Sequence, residues 1–294
     1  MFYRRKIILA LLQICDGRLH KISLQKLLFL ISERQTSASY DFVPYLYGCY
    51  SFSANADLSA MVKRGYLEED KNHFTKKCAV DYFATLKEDD KKILTEVKGS
   101  FENLSVDELM KFTYLNYGYY AINSIKTKEI LTETDYKTVK QRKPYSEKTI
   151  LYTIGYEGVS LETYLNKLIK NDVKMLVDVR NNPISMKFGF SKSQLAKFVA
   201  SLGIEYVHLP EVGIQSDQRR TLKTQEDYDQ LFQIYKQHNL KETVGVQEHI
   251  LKLLQKKKRI ALTCFEADIC QCHRKHLAES ITKLSMWRYE IEHL

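Results

Sequence analysis

The chain has 294 residues, 44% hydrophobic and 28% charged, with 45 basic against 36 acidic side chains and a net charge of +9. Those values suit a globular protein of two domains and exclude a disordered polyelectrolyte, although the mild basic excess fits a nucleic-acid partner without demanding one. Ile7–Leu12 is too short for a membrane span and no small-residue cleavage site follows it, so a cytoplasmic protein with no membrane contact is expected, its six cysteines mostly reduced.

In chain order, Ile7, Ile8, Leu11, Leu12 and Cys15 recur at helical spacing and Asp16-Gly17 closes that helix. Ser23 is positioned to cap a second helix through Leu24, Leu27, Leu28 and Ile31. An extended aromatic stretch, Tyr40–Gly48, precedes a third helix with Ser53 as cap and Leu58, Met61 and Val62 on one face. Tyr66-Leu67 and His73-Phe74-Thr75 read as a small wing. This order of elements predicts a mainly helical, winged-helix-like module. The stretches LQKLLFLI, YDFVPYLYGCYS and LSAMVKRGYL resemble the N-terminal modules of some bacterial proteins linked to toxin–antitoxin and phage-defence loci, over residues 1–80. That resemblance implies a DNA-binding or protein-interaction role in defence.

Residues 81–140 are polar and helical, with a capping box at Ser105 and Glu108. Tyr114, Tyr117, Tyr119 and Tyr120 either pack this arm on the first module or present a base-stacking surface. The first domain is placed at 1–140. The basic run 137–148, with Pro144, is read as a linker.

From Thr149 apolar strands alternate with amphipathic helices, which predicts an α/β domain over 149–294: a Rossmann-like parallel sheet covered on both faces. In such a sheet ligands bind beyond the carboxyl ends of the strands. The first strand ends in Gly155, Tyr156 and Glu157, and the second in Asp178, Arg180, Asn181, Asn182 and Pro183. The third ends in His208, Pro210 and Glu211, and the fourth in Cys264, Glu266, Asp268, Cys270, Cys272, His273 and Arg274. Four apolar strands that all end in titratable groups define the candidate site.

Asp178, Glu266 and His273 are the candidate proton movers, and Cys272, beside the first turn of the last helix, is the candidate nucleophile with a lowered pKa. Arg180, Arg274 and that helix end would hold an anion. Gly155 permits either a tight turn or close approach of a ligand, while His208 is as readily a hydrogen-bonded structural histidine. Cys264, Cys270, Cys272, His273 and His276 would suffice for zinc, but Cys-x-Cys-His is not a paired knuckle. No metal and no cofactor is therefore expected.

TIGYEG, LVDVRNNPIS, FSKSQLAKFVASLGIEYVHLPEVG and LTCFEADICQCHRKHLAE together resemble the domain-of-unknown-function family number 488 over residues 150–285. The resemblance implies a Rossmann-like α/β domain with signature positions at Gly155, Asp178, Arg180, Pro183, Ser185, Cys264, Glu266, Cys272, His273 and Arg274. Met186 stands where the family carries a basic residue, with Lys187 next. The VDVR strand end is similar to rhodanese-type domains, but their active-site loop of Cys-x(4–5)-Arg is missing here. The expectation from sequence is a nucleic-acid-associated protein whose α/β domain binds, and acts on, a phosphate-bearing nucleotide or nucleic-acid group. Its rival is a non-catalytic regulator or antitoxin-like module that senses a nucleotide.

Overall fold

In the computed structural model the chain divides into two units, Met1–Lys143 and Pro144–Leu294. Residues 1–215, 218 and 224–294 are described.

The first unit begins with helix α1 (Tyr3–Ile14), strand β1 (Arg18–His20) and helix α2 (Lys21–Ser32). Six consecutive residues of α1 and all of Leu24–Ser32 in α2 are buried, so both helices are enclosed on every side rather than one. A hairpin of β2 (Val43–Tyr45) and β3 (Gly48–Tyr50) leads into α3 (Phe52–Lys63), followed by the paired strands β4 (Leu67–Glu69) and β5 (His73–Lys76). The sheet is antiparallel in the order β1-β5-β4, with Arg18 opposite Thr75. Helices α4 (Glu88–Phe101), α5 (Val106–Asn116), α6 (Thr127–Ile130) and α7 (Glu133–Gln141) complete the unit. Leu94, Val97, Phe101 and Leu109 join the same core as α1 and α2.

Several local expectations need correction. Helix α2 is capped by His20, whose Nδ1 accepts the Ile22 amide at 3.2 Å, and Ser23 lies inside its first turn. Helix α3 is capped by Ser51, whose hydroxyl accepts the Ala54 amide, not by Ser53. The proposed linker starts too early: residues 137–141 belong to α7, where Val139 is buried beside Met110 and Tyr114. The Ser105–Glu108 capping box is present. Tyr117 and Tyr120 set their rings 4.8 and 4.7 Å from Phe29 and Tyr114 is buried, so these tyrosines build the interior.

The second unit runs β6 (Ile150–Gly155), α8 (Leu161–Lys170), β7 (Met175–Asp178), α9 (Lys192–Ser201), β8 (Glu205–His208), α10 (Gln225–Gln237), α11 (Asn239–Glu242), α12 (Val244–Lys257), β9 (Arg259–Cys264), α13 (His273–Ile281) and β10 (Glu290–His293). All four pairings of the five-stranded sheet, ordered β10-β6-β9-β7-β8, are parallel. Successive side chains of a strand alternate between faces. Leu151, Met175, Val177, Ile260 and Leu262 pack with α10, α12 and α13. Thr263, one residue on from Leu262, instead accepts the Tyr164 hydroxyl of α8 at 2.8 Å. Helices therefore cover both faces, as the unbroken apolar strands require. The register sets Gly155 opposite Cys264, and Asp178 opposite both Thr263 and His208, so the functional-looking strand ends lie level with one another.

Candidate functional site

Alternation divides the strand-end residues into two clusters. Asp178 shares the face of Leu176, toward α8. Cys264 shares the face of Leu262, toward α13. The first cluster is an ion pair closed on itself. Asp178 is 0% exposed, and Arg180 grips it twice, Nε to Oδ1 at 2.8 Å and Nη2 to Oδ2 at 2.5 Å. Tyr206 donates to the same Oδ2 at 2.6 Å, and the Arg180 amide to Oδ1 at 3.2 Å. Arg180 Nη1 donates to the Tyr156 hydroxyl and the Phe190 carbonyl, each at 2.8 Å. Burial alone would lower the guanidinium's pKa, but its bonds to Asp178 and the carboxylate charge outweigh that and hold its proton more tightly. Both residues are thus engaged with the protein's own groups, and Arg180 also borders the pocket at the strand tips.

The second cluster lies at the start of α13. Cys264, Cys272 and His273 are all buried, and their ligand-type atoms lie within 4.8 Å of one another. His273 Nε2 meets the Val179 carbonyl at 3.1 Å, which makes Nε2 the protonated nitrogen and leaves Nδ1 toward the sulfurs, 3.7 Å from Cys264 Sγ and 3.9 Å from Cys272 Sγ. Cys264 Sγ also bonds Glu266 Oε2 at 3.0 Å. Burial pushes the Cys272 thiol up, reinforced by Cys264 and Glu266 and only partly countered by Arg274, so the helix end does not produce the lowered pKa expected from sequence. Cys270 is exposed, and neither it nor His276 joins the cluster.

The remaining site residues mostly strap loops together. Arg274 is buried, with Nη1 to the Glu266 carbonyl at 2.5 Å and Nη2 to that of Ala267 at 3.1 Å, and it grips backbone rather than an anion. Glu157 accepts the Ala267 amide at 3.0 Å. A Cβ on Gly155 would lie 1.9 Å from the Glu266 carbonyl oxygen, so the group that approaches this glycine is the chain's own β9–α13 loop. His208 bonds the Arg180 carbonyl through Nε2 at 2.8 Å and Lys192 through Nδ1 at 3.0 Å, in keeping with its structural alternative. The Pro183 carbonyl accepts the Lys192 amide. Met186 is 102% exposed, and the neighbouring Lys187 donates to the Tyr156 carbonyl at 2.7 Å, so neither supplies the missing basic contact.

The two clusters meet at an open pocket of about 320 Å³ across the strand tips, lined by Tyr156, Arg180, Asn181, Asn182, Ile184, Ser185, Met186, Ile214, Cys264 and Phe265. Tyr156, Arg180, Ser185 and Cys264 are the expected residues that reach it. Asp178, Glu266, Cys272, His273, Gly155, Glu157, Pro183, His208 and Arg274 do not line it. Phe265 and Ile214 were not anticipated. Phe265 carried a signal, a large aromatic inside a polar run, and it is 43% exposed at the pocket rim.

Residues 160–281 match the family model described as domain of unknown function DUF488, which places α8 through α13, with the cysteine cluster, inside the matched segment. No curated protein and no solved structure matches the chain.

Proposed function

We propose that the protein is nucleic-acid-associated and that its second unit binds a base-bearing ligand, a nucleotide or a base presented by a strand, in the pocket at the tips of β6, β7 and β9. The observation that carries this reading is the character of the pocket. Its rim offers the Phe265 ring, its wall offers Ile184, Met186 and Ile214, and its polar groups are the amide side chains of Asn181 and Asn182, the Ser185 and Tyr156 hydroxyls, the Cys264 thiol and the Arg180 guanidinium, whose charge is already met by Asp178. Flat apolar surface beside neutral donors and acceptors suits a heteroaromatic ring with a hydrogen-bonding edge better than it suits a bare phosphate. The volume lies at the small end of ligand pockets, which run from about 300 Å³ upward.

The first unit supports the same reading with its helix–strand–helix–hairpin–helix–hairpin order, and the whole chain's net charge of +9 favours docking on a polyanion. The defence or genome-maintenance setting follows from the resemblance of residues 1–80. A sensing role without chemistry is the second reading, favoured by the Asp178–Arg180 pair being fully engaged within the protein.

Titration calorimetry of the full chain with a panel of nucleosides and their monophosphates tests the pocket. Binding of at least one base-bearing ligand is expected, weakened about tenfold by Phe265→Ala, since stacking on an aromatic is worth about 1–3 kcal/mol. Failure of every base-bearing ligand to bind at millimolar concentration defeats the reading. Retention of DNA at low salt, falling steeply as salt rises, is the corresponding expectation for the first unit.

A further inference from the structure

We infer that Cys264, Cys272 and His273 form a binding site for a thiophilic divalent metal, zinc above all. The inference does not rest on the base-binding reading: Cys264 also borders that pocket, but Cys272 and His273 do not, and the test reads metal rather than ligand.

The geometry is close to that of a bound tetrahedral ion. With Zn–S near 2.3 Å and Zn–N near 2.0–2.1 Å, tetrahedral angles place sulfur and nitrogen about 3.6 Å apart and two sulfurs about 3.8 Å apart. The His273 Nδ1 distances are 3.7 and 3.9 Å, and all three donors lie within 4.8 Å of one another, so side-chain adjustments of about an ångström or less would close the set around an ion.

The tautomer also suits a metal. A ligating histidine almost always gives its other ring N–H to a carbonyl or carboxylate. Here Nε2 does so with the Val179 carbonyl at 3.1 Å, which aims Nδ1 at the two thiols. Among the described residues this is the one group of three or more histidine, cysteine and acidic side chains with metal-holding geometry. Two thiols and an imidazole are a soft donor set that selects zinc over magnesium or calcium.

The surroundings supply the rest. Glu266, whose Oε2 accepts from Cys264 Sγ at 3.0 Å, fixes that thiol's position, and a water would supply the fourth ligand. Arg274 fixes the loop that carries Glu266 by gripping the Glu266 and Ala267 carbonyls. On binding, each thiol loses its proton and becomes a thiolate ligand, His273 stays neutral, and two protons pass to solvent for each ion taken up. The spacing Cys-x(7)-Cys-His conceals this site along the chain, because the seven intervening residues loop out and return at the start of α13.

The test uses the full-length protein, purified under reducing conditions without chelator, then loaded with zinc or cobalt(II) and freed of excess. One equivalent per chain is expected. Cobalt should give the near-ultraviolet thiolate charge-transfer band and the intense visible bands of a tetrahedral site. X-ray absorption on the zinc form should read two sulfurs with nitrogen or oxygen neighbours. Cys264→Ser and Cys272→Ser should each lower retained metal at least tenfold, and Cys270→Ser should leave it unchanged. Cobalt without a thiolate band, retention of less than a tenth of an equivalent by the wild-type chain, or retention equal to wild type by both serine variants would overturn the inference. Should those variants fail to fold, the wild-type cobalt and absorption spectra decide alone.

Discussion

Both units bury charge, and Lys26 in the first and the Asp178–Arg180 pair in the second do so in opposite ways, although the first unit also buries Asp57 paired with Arg4 and Arg5, and the second buries Arg259 among carbonyls and a hydroxyl. In the first, Lys26 is buried within α2 with only neutral partners, the Tyr47 and Cys49 carbonyls, and burial pulls its pKa down. In the second, Asp178 and Arg180 are buried as an ion pair with Tyr206, Tyr156 and Phe190 filling out their bonds. A buried cation that meets only carbonyls can be replaced by an apolar side chain with part of its desolvation penalty returned. One half of a buried pair cannot be removed without stranding the other. Burial of a titratable group therefore does not by itself identify a site. Lys26 also lines an open cavity, of about 390 Å³, so what distinguishes the second unit is that its buried groups gather at level strand ends.

That contrast can be broken by measurement. The largest effect is expected for Asp178→Ala, which leaves Arg180 uncompensated and should cost about 3–5 kcal/mol. Hydrogen exchange should show protection lost across β6, β7 and β9 while α1 and α2 keep theirs. Gly155→Ala comes next, at about 3 kcal/mol, because a methyl group meets the Glu266 carbonyl and the loop must shift. Urea unfolding followed by exchange in the 265–272 segment checks it. Lys26→Met should cost about 1 kcal/mol or less, since the hydrogen bonds lost are offset by relief of the buried charge. A cost as large as that of Asp178→Ala would erase the distinction between the units. The smallest effect is a gain. Lys258, just past α12, sits at φ 65° and ψ −38° with its side chain exposed. Lys258→Gly should release backbone strain, less the extra entropy of glycine in the unfolded chain, for a net of about 0.5 kcal/mol and a rise in Tm of about 1–2 °C.

The features legible in the sequence are those written in local periodicity. The strands of the second unit are buried on both faces and so read as apolar runs, and the polar residues that end them mark the strand tips. The five-stranded parallel sheet follows from their alternation with helices. Features that depend on distant pairing were not legible. Strand β1 is three residues long and exists because Arg18 meets Thr75. The His20 cap went unread because serine is the commoner helix cap and stood three residues on. The strand-end residues seemed to share one cleft because chain order does not say which face of a strand each occupies. Asp178 and Cys264 lie toward opposite helical layers, and the pocket touches only some members of each cluster. The thiol cluster was discounted for its linear spacing, although the distances that matter to a ligand set are those through space.

The tripeptide Asp178-Val179-Arg180 ties together several separate elements of the second unit. Its groups bond Tyr206 and His208 of β8, Thr263 of β9, His273 of α13, Tyr156 beyond β6 and Phe190 ahead of α9. The partner farthest along the chain is 94 residues away. Closing contacts of that span costs chain entropy before any of them is rewarded, so this junction forms only after the separate βα segments have found one another. Substitutions in the tripeptide should therefore accelerate unfolding and leave the refolding rate nearly unchanged, and the pocket it supports takes shape as one of the last events in folding.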